Sequence, residues 1–239
     1  MQRLNENIFH QYNKWKENYT RKENSIKIRL NEFLDAHPSY KDYLSISEDG
    51  KRVNCSSSIF IYDIDLSNGR FPFPFGTVNG DFDCSVCAEL ISLEGAPEEV
   101  DKNFTCSECS SLTSLKGAPQ IVGGDFVCDE CLITSLEGAP EEVVGDFNCS
   151  ECHNLTSLKG APKKVGRYFT CYSCKKLVSL EGAPEEVGAF YCAACTCLTS
   201  LEGLPKIIKK ELTVPKRFKD KIPNIEDIDI TCNINYYDM

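Results

Sequence analysis

Twelve cysteines of this 239-residue chain fall in six pairs: Cys84 and Cys87, Cys106 and Cys109, Cys128 and Cys131, Cys149 and Cys152, Cys171 and Cys174, and Cys192 and Cys195. Thiolates at C-x-x-C spacing can chelate Zn²⁺ together, and two pairs about 18 residues apart complete a tetrahedral site. The same spacing serves dithiol–disulfide exchange. A third reading makes each thiol a small apolar core residue with a weak S–H donor. Other catalytic signals are sparse. The three histidines, His10, His37 and His153, recur with no cysteine or carboxylate, and His153 beside Cys152 would diverge from it in a turn. The glycines follow the repeat and serve turns, so no phosphate-binding loop is expected, and neither is enzymatic activity or a cofactor.

The elements that carry these pairs are units of 21 or 22 residues, reading F-x-C-x-x-C, an apolar residue and then S-L-x-G-A-P (G-L-P in the last), six times over residues 80–205. A period of this length marks a solenoid, in which each unit buries its apolar face only by stacking on neighbours. Phe and the first cysteine share one side of a strand, because side chains alternate with period 2. In the unit around Phe147, Val143 or Val144 comes first, then Phe147 and Cys149. Cys152 follows at an inward turn position, with Leu155 and Leu158 after it. The two shorter units lose a residue after Cys131 and between Val187 and Phe190, both in connections.

Charge argues against zinc. Residues 76–205 hold 20 acidic and 8 basic side chains, with no repeated Lys, Arg or His beside the cysteines. Three Cys₄ sites would add roughly −6, and burying such charge is unfavourable without compensation. The residues between paired cysteines also lack the glycine of a tight zinc knuckle. Zinc-binding structural or redox use of the six pairs therefore stands as the alternative, with core thiols preferred. The acidic array is a poor surface for nucleic acid, whose phosphates it repels. It suits a protein partner with a basic surface.

Around the repeats, Ile8, Phe9, Tyr12 and Trp15 predict one helix over residues 5–21, and Ile26, Leu30, Phe33 and Leu34 a second over 25–36, ended by His37-Pro38. Phe60, Tyr62, Ile64 and Leu66 alternate as a strand, and Phe71 to Gly76 forms an aromatic turn. Leu212-x-Val214 repeats the F-x-C register, and Ile228-x-Ile230 reads as one more strand. The expected organisation is a helical cap over 1–55, a solenoid over 56–215 and a C-terminal cap over 216–239. Residues 1–16 lack the apolar core of a secretion signal, and apolar runs are short, so a cytoplasmic protein with reduced thiols and no membrane span is expected.

Leu155 to Pro162 (L-T-S-L-K-G-A-P) and Leu198 to Pro205 (L-T-S-L-E-G-L-P) resemble the short leucine-rich repeats of bacterial type III secreted effectors. The longer form, with V-G-x-F-x-C-S after G-A-P, and the lead-in Phe73 to Phe82 are similar to repeats of tailed-phage proteins. The resemblance covers residues 56–215. It implies a leucine-rich-repeat-like parallel β-sheet on a concave face, mostly non-helical return segments and a helical N-terminal cap. Two departures stand out: cysteine takes the ladder place where Asn is commoner, and no large catalytic domain follows.

In such a fold, strand residues pointing away from the core form the binding surface. The first four units place Asp81, Asp83, Glu108, Asp125, Asp129, Glu130, Asp146 and Glu151 there. The last two place Tyr168, Thr170, Tyr172, Tyr191, Ala193 and Ala194 there, with Arg167 and Lys175 nearby. The expected function is protein binding through this acidic and aromatic face. Its sharpest form is a phage-encoded inhibitor that occupies the basic, nucleic-acid-binding site of a host defence protein. The Glu pairs at 98–99, 141–142 and 185–186 read as a solvated face of the return segment.

Overall fold

A computed structural model describes residues 25–61, 66, 69–222, 229–230 and 232–238. Within them the chain winds into a parallel β-solenoid of about eight turns, with one helix at its N-terminal end. Each turn contributes a short strand ending in an inward Val, such as Glu99–Val100. A second strand beginning with Phe follows, such as Phe104–Thr105. The second strands form an unbroken parallel ladder of nine rungs: Ile59, Phe82, Phe104, Phe126, Phe147, Phe169, Phe190, Leu212 and Ile234 stand in register. In the last turns the two strands fuse, as in Lys164–Thr170 and Ile207–Pro215.

The repeat period sets the interior. Six phenylalanines, from Phe82 to Phe190, stack face to face at 5.2–5.5 Å between ring centroids. All six are fully buried. Adjacent rungs of a sheet lie about 4.8 Å apart, so identical rings one turn apart meet at the offset-stacking distance. On the third side, Leu-x-x-Leu contributes further buried columns, and Thr156 N donates to Thr134 O at 3.2 Å, one turn away. The L-x-G-A step closes a turn, Ala161 N to Leu158 O at 2.9 Å, with Gly160 at φ +87. A Cβ on Gly160 would lie 2.5 Å from the Glu137 backbone one turn back, so glycine is required twice over.

Helix 25–36 covers the N-terminal end with Ile26, Leu30 and Phe33, whose i, i+4, i+7 spacing makes one buried stripe. Phe33 meets Phe73 edge to face at 5.3 Å, and Phe73, Phe75 and Phe82 carry the contact on into the ring stack. Tyr40 ties the cap to the ladder: its hydroxyl donates to Phe60 O and accepts from Phe60 N, both at 3.2 Å. The helix stops at residue 36, before His37-Pro38.

Several expectations need correction. The buried face of the first strand is Ile59 and Ile61, with Phe60 turned outward and 41% exposed, because Ile59 pairs with Phe82 and so sets the opposite alternation. Tyr62, Ile64 and the helix expected over 5–21 lie outside the described residues. Glu99, Glu142 and Glu186 begin strands rather than sit on a return segment. Val143 takes the inward place, while Val144 is 68% exposed. Val53–Cys55 already joins the separate sheet of first strands, pairing parallel with Phe75–Val78, and the ladder of second strands extends through Asn233–Tyr237. Leu212-x-Val214 does hold the F-x-C register, and Asp229–Ile230 is a paired strand.

Candidate functional site

The cysteine pairs turn inward and are spent on the ladder. All twelve are buried. The second thiol of each pair donates to the preceding turn, usually to the carbonyl of that turn's first cysteine. Cys109 donates to Cys84 O at 3.2 Å, Cys131 to Cys106 O at 3.1 Å, Cys152 to Cys128 O at 3.2 Å, Cys174 to Cys149 O at 3.2 Å and Cys195 to Cys171 O at 3.1 Å. Cys87 reaches Ile61 O at 3.7 Å. Each thiol thereby satisfies a carbonyl that the C-x-x-C turn leaves facing the core. Among the described residues, no three His, Cys, Asp or Glu side chains converge to hold a metal ion.

Burial pushes the Cys84 and Cys128 thiols well above their ordinary range, with neighbouring cysteines adding to the shift. Burial likewise lifts Cys87 to about 12. Cys195 is the exception: a hydrogen bond from the Cys171 thiol holds it below its usual value, and Arg217 contributes. The Arg217 guanidinium donates to Cys195 O at 2.7 Å and Leu198 O at 2.9 Å, closing the last full repeat from outside.

The second residue between each pair has positive φ: Val86, Glu108, Glu130, Glu151, Ser173 and Ala194 lie at +55 to +59. This left-handed step turns the chain inward to the second cysteine without a glycine, and it aims the residue's side chain out. Of the eight acidic residues expected on the outward face, only Glu108, Glu130 and Glu151 lack a hydrogen-bond or ion-pair partner among the described residues. The backbone N–H of Glu108, Glu130 and Glu151 each bonds a carbonyl of the next turn at 2.8–3.0 Å, which keeps the three one rung apart. Their side chains are exposed, and no hydrogen bond or ion pair to a described residue involves these carboxylates. Glu130, in the middle, is held above the usual carboxylate range by desolvation and then by Glu108, Glu151 and Asp129.

The aspartates in the row before Phe have a different task. Asp81 Oδ1 accepts from Asn103 N at 3.1 Å, Asn103 Oδ1 from Asp125 N at 2.8 Å, Asp125 Oδ1 from Asp146 N at 2.8 Å, and Asp146 Oδ1 from Tyr168 N at 3.1 Å. This ladder of side chains joins turn to turn. Arg167 closes it, with Nε 3.4 Å from Asp146 and Nη1 3.8 Å from Asp125. Asp83 accepts from Ser85 N and Ser85 Oγ at 2.9 and 2.6 Å. Asp129 accepts from Ser107 Oγ at 2.5 Å. These residues are only part-exposed and their carboxylates work within the face, Asp81 with both oxygens, since its Oδ2 also accepts from Ser58 Oγ at 3.2 Å.

The aromatic half is also partly occupied. Ala193 is buried rather than presented. Tyr172 meets Tyr237 edge to face at 5.8 Å, with the hydroxyls 3.2 Å apart. Tyr191 donates to Glu211 at 2.8 Å, and burial and that carboxylate push it up to about 12. Tyr168 packs on Tyr191 at 5.9 Å, with Arg167 against its ring. Thr170 stands in the outward row beside Tyr191, and Lys175 is exposed past the turn. Tyr237 and Glu211 were not legible as partners, since each joins this face from a later turn.

Comparison with family models, with curated proteins and with solved structures gives no match. Among the described residues no helix is long and apolar enough to cross a membrane.

Proposed function

We propose that this chain is a protein-recognition module rather than an enzyme, and that its acidic face takes a partner rich in lysine and arginine. The column of Glu108, Glu130 and Glu151 carries the reading. Three carboxylates one rung apart, with no hydrogen-bond or ion-pair partner among the described residues, attract incoming cations. Asp129 and Asp83 flank the column and add to the field. The resemblance to leucine-rich repeats supports the same reading, since that architecture serves recognition widely. A partner surface that otherwise holds nucleic-acid phosphates has the matching chemistry.

The test is binding of a lysine- and arginine-rich helical peptide by the full chain and by a Glu108→Gln, Glu130→Gln, Glu151→Gln variant. The amides keep shape and backbone, so the fold should persist by circular dichroism. Binding should weaken at least about tenfold in the variant and fall with salt. Equal binding by both chains would remove the column from the account. Asp125→Asn with Asp146→Asn should matter less, because asparagine Oδ1 still accepts the next turn's N–H.

A further inference from the structure

The fold seats one of its own arginines between a tyrosine ring and a carboxylate. The Arg167 guanidinium lies 5.8 Å from the Tyr168 ring, and its Nε is 3.4 Å from Asp146, one turn back. Farther along the same two turns the combination recurs as Tyr172 and Glu151, and no described arginine or lysine lies on that ring. Glu151 N donates to Tyr172 O at 2.8 Å, and the Glu151 side chain is exposed. Tyr172 is pushed above the usual phenol range by its bond to Tyr237 first, and Glu151 adds to the shift, so that carboxylate acts on the ring.

Tyr237 adds a second wall. Tyr172, Ala193, Pro215 and Tyr237 stand in one row on successive turns, so the two tyrosine backbones are about 14 Å apart. Ala193 and Pro215, between them, are buried. The rings nevertheless lean together to 5.8 Å at 89°, with hydroxyls 3.2 Å apart. Two ring faces at a right angle leave an open corner. Lys216, beside Pro215, is paired with Asp238 at 2.6 Å and does not fill it.

We propose that Tyr172, Tyr237 and Glu151 form the seat for one arginine of the basic partner, an assignment that rests on the acidic-face reading above. The guanidinium stacks on the Tyr172 ring and turns an N–H to Glu151, as Arg167 does with Tyr168 and Asp146. Arginine suits the corner better than lysine, because its planar group covers a ring face and is more weakly hydrated than an ammonium. Glu151 thus serves twice, as the last carboxylate of the column and as the partner of the seated arginine.

Fluorescence anisotropy of the full chain with two labelled helical peptides of equal length and charge tests this, one with only arginine and one with only lysine as basic residues. The arginine peptide should bind at least about fivefold tighter. Tyr172→Leu, and separately Tyr237→Leu at an exposed side chain, should abolish that preference while leaving the lysine peptide within about twofold of its native affinity. A Tyr172→Phe, Tyr237→Phe variant keeps both ring faces and loses only the hydroxyl contact, so its arginine preference should persist. Equal binding of the two peptides by the native chain, or an unchanged preference in the leucine variants, would overturn the proposal. Loss of the preference in the phenylalanine variant would do so too, leaving the tyrosine pair as a fastening for the last strand. The two readings fail separately: lysine-peptide binding that depends on Glu108, Glu130 and Glu151 keeps the acidic face whatever becomes of the arginine seat, whereas no binding of either peptide removes both.

Discussion

Cys152 illustrates what a thiol does in this fold. Its S–H meets the Cys128 carbonyl at 3.2 Å, one turn back, where a hydroxyl or amide would also reach. The thiol is apolar enough for a fully buried site and still satisfies the carbonyl. Burial also fixes its protonation. Twelve described cysteines, Cys84, Cys128 and Cys87 among them, are shifted upward, chiefly by desolvation in Cys84, Cys128 and Cys87. A group whose pKa rises on folding stabilises the fold below its unfolded pKa and loses that contribution as pH climbs to the folded value. Above about pH 8.5 the unfolded chain releases thiol protons that the native chain keeps. Each such thiol then removes about 1.4 kcal/mol per pH unit up to its own folded pKa. The urea midpoint should therefore fall steeply between about pH 8.5 and 10.5, and a flat profile there would show that the thiols are not held protonated.

At the scale of the element, the F-x-C strand was legible because one observation fixes it: Phe and Cys two apart, repeated at a constant period, place both on the inner side. Helix 25–36 was legible from Ile26, Leu30 and Phe33. The first strand was not, since Ile59-Phe60-Ile61 offers two alternations and only pairing with Phe82 chooses between them. The separate duties of the acidic residues were hidden for the same reason, being set by bonds some 22 residues apart in sequence. One clue did lie in the chain: Asn103 interrupts the row of Asp81, Asp125 and Asp146, which indicates that the shared carbonyl oxygen matters there more than charge. The stacked rings give the element its stability. Phe147→Ala, between Phe126 and Phe169, should cost about 3–5 kcal/mol by urea unfolding. A loss below about 1 kcal/mol would mean that the neighbouring turns close over the gap.

Over the whole molecule, the solenoid separates two chemistries along its length. Acidic turns with an outward glutamate column occupy the middle, and the stretch from Lys206 to Lys221 holds seven basic residues against two acidic ones. Between them Tyr172 reaches Tyr237, and Tyr191 reaches Glu211, so the last strand is fastened to the aromatic turns rather than loosely appended. The repeat creates both the inward places that cysteine fills and the outward places where recognition chemistry stands. That division is the central claim, and native-state thiol counting by mass spectrometry, with zinc measured on the same protein purified without added metal, tests it most directly. The account predicts that exposed Cys197 labels in the folded chain, that partly buried Cys232 labels slowly, and that the thirteen buried cysteines label only on unfolding, with no stoichiometric zinc. Paired cysteines that become reactive when a chelator strips about three zinc ions per chain would contradict it.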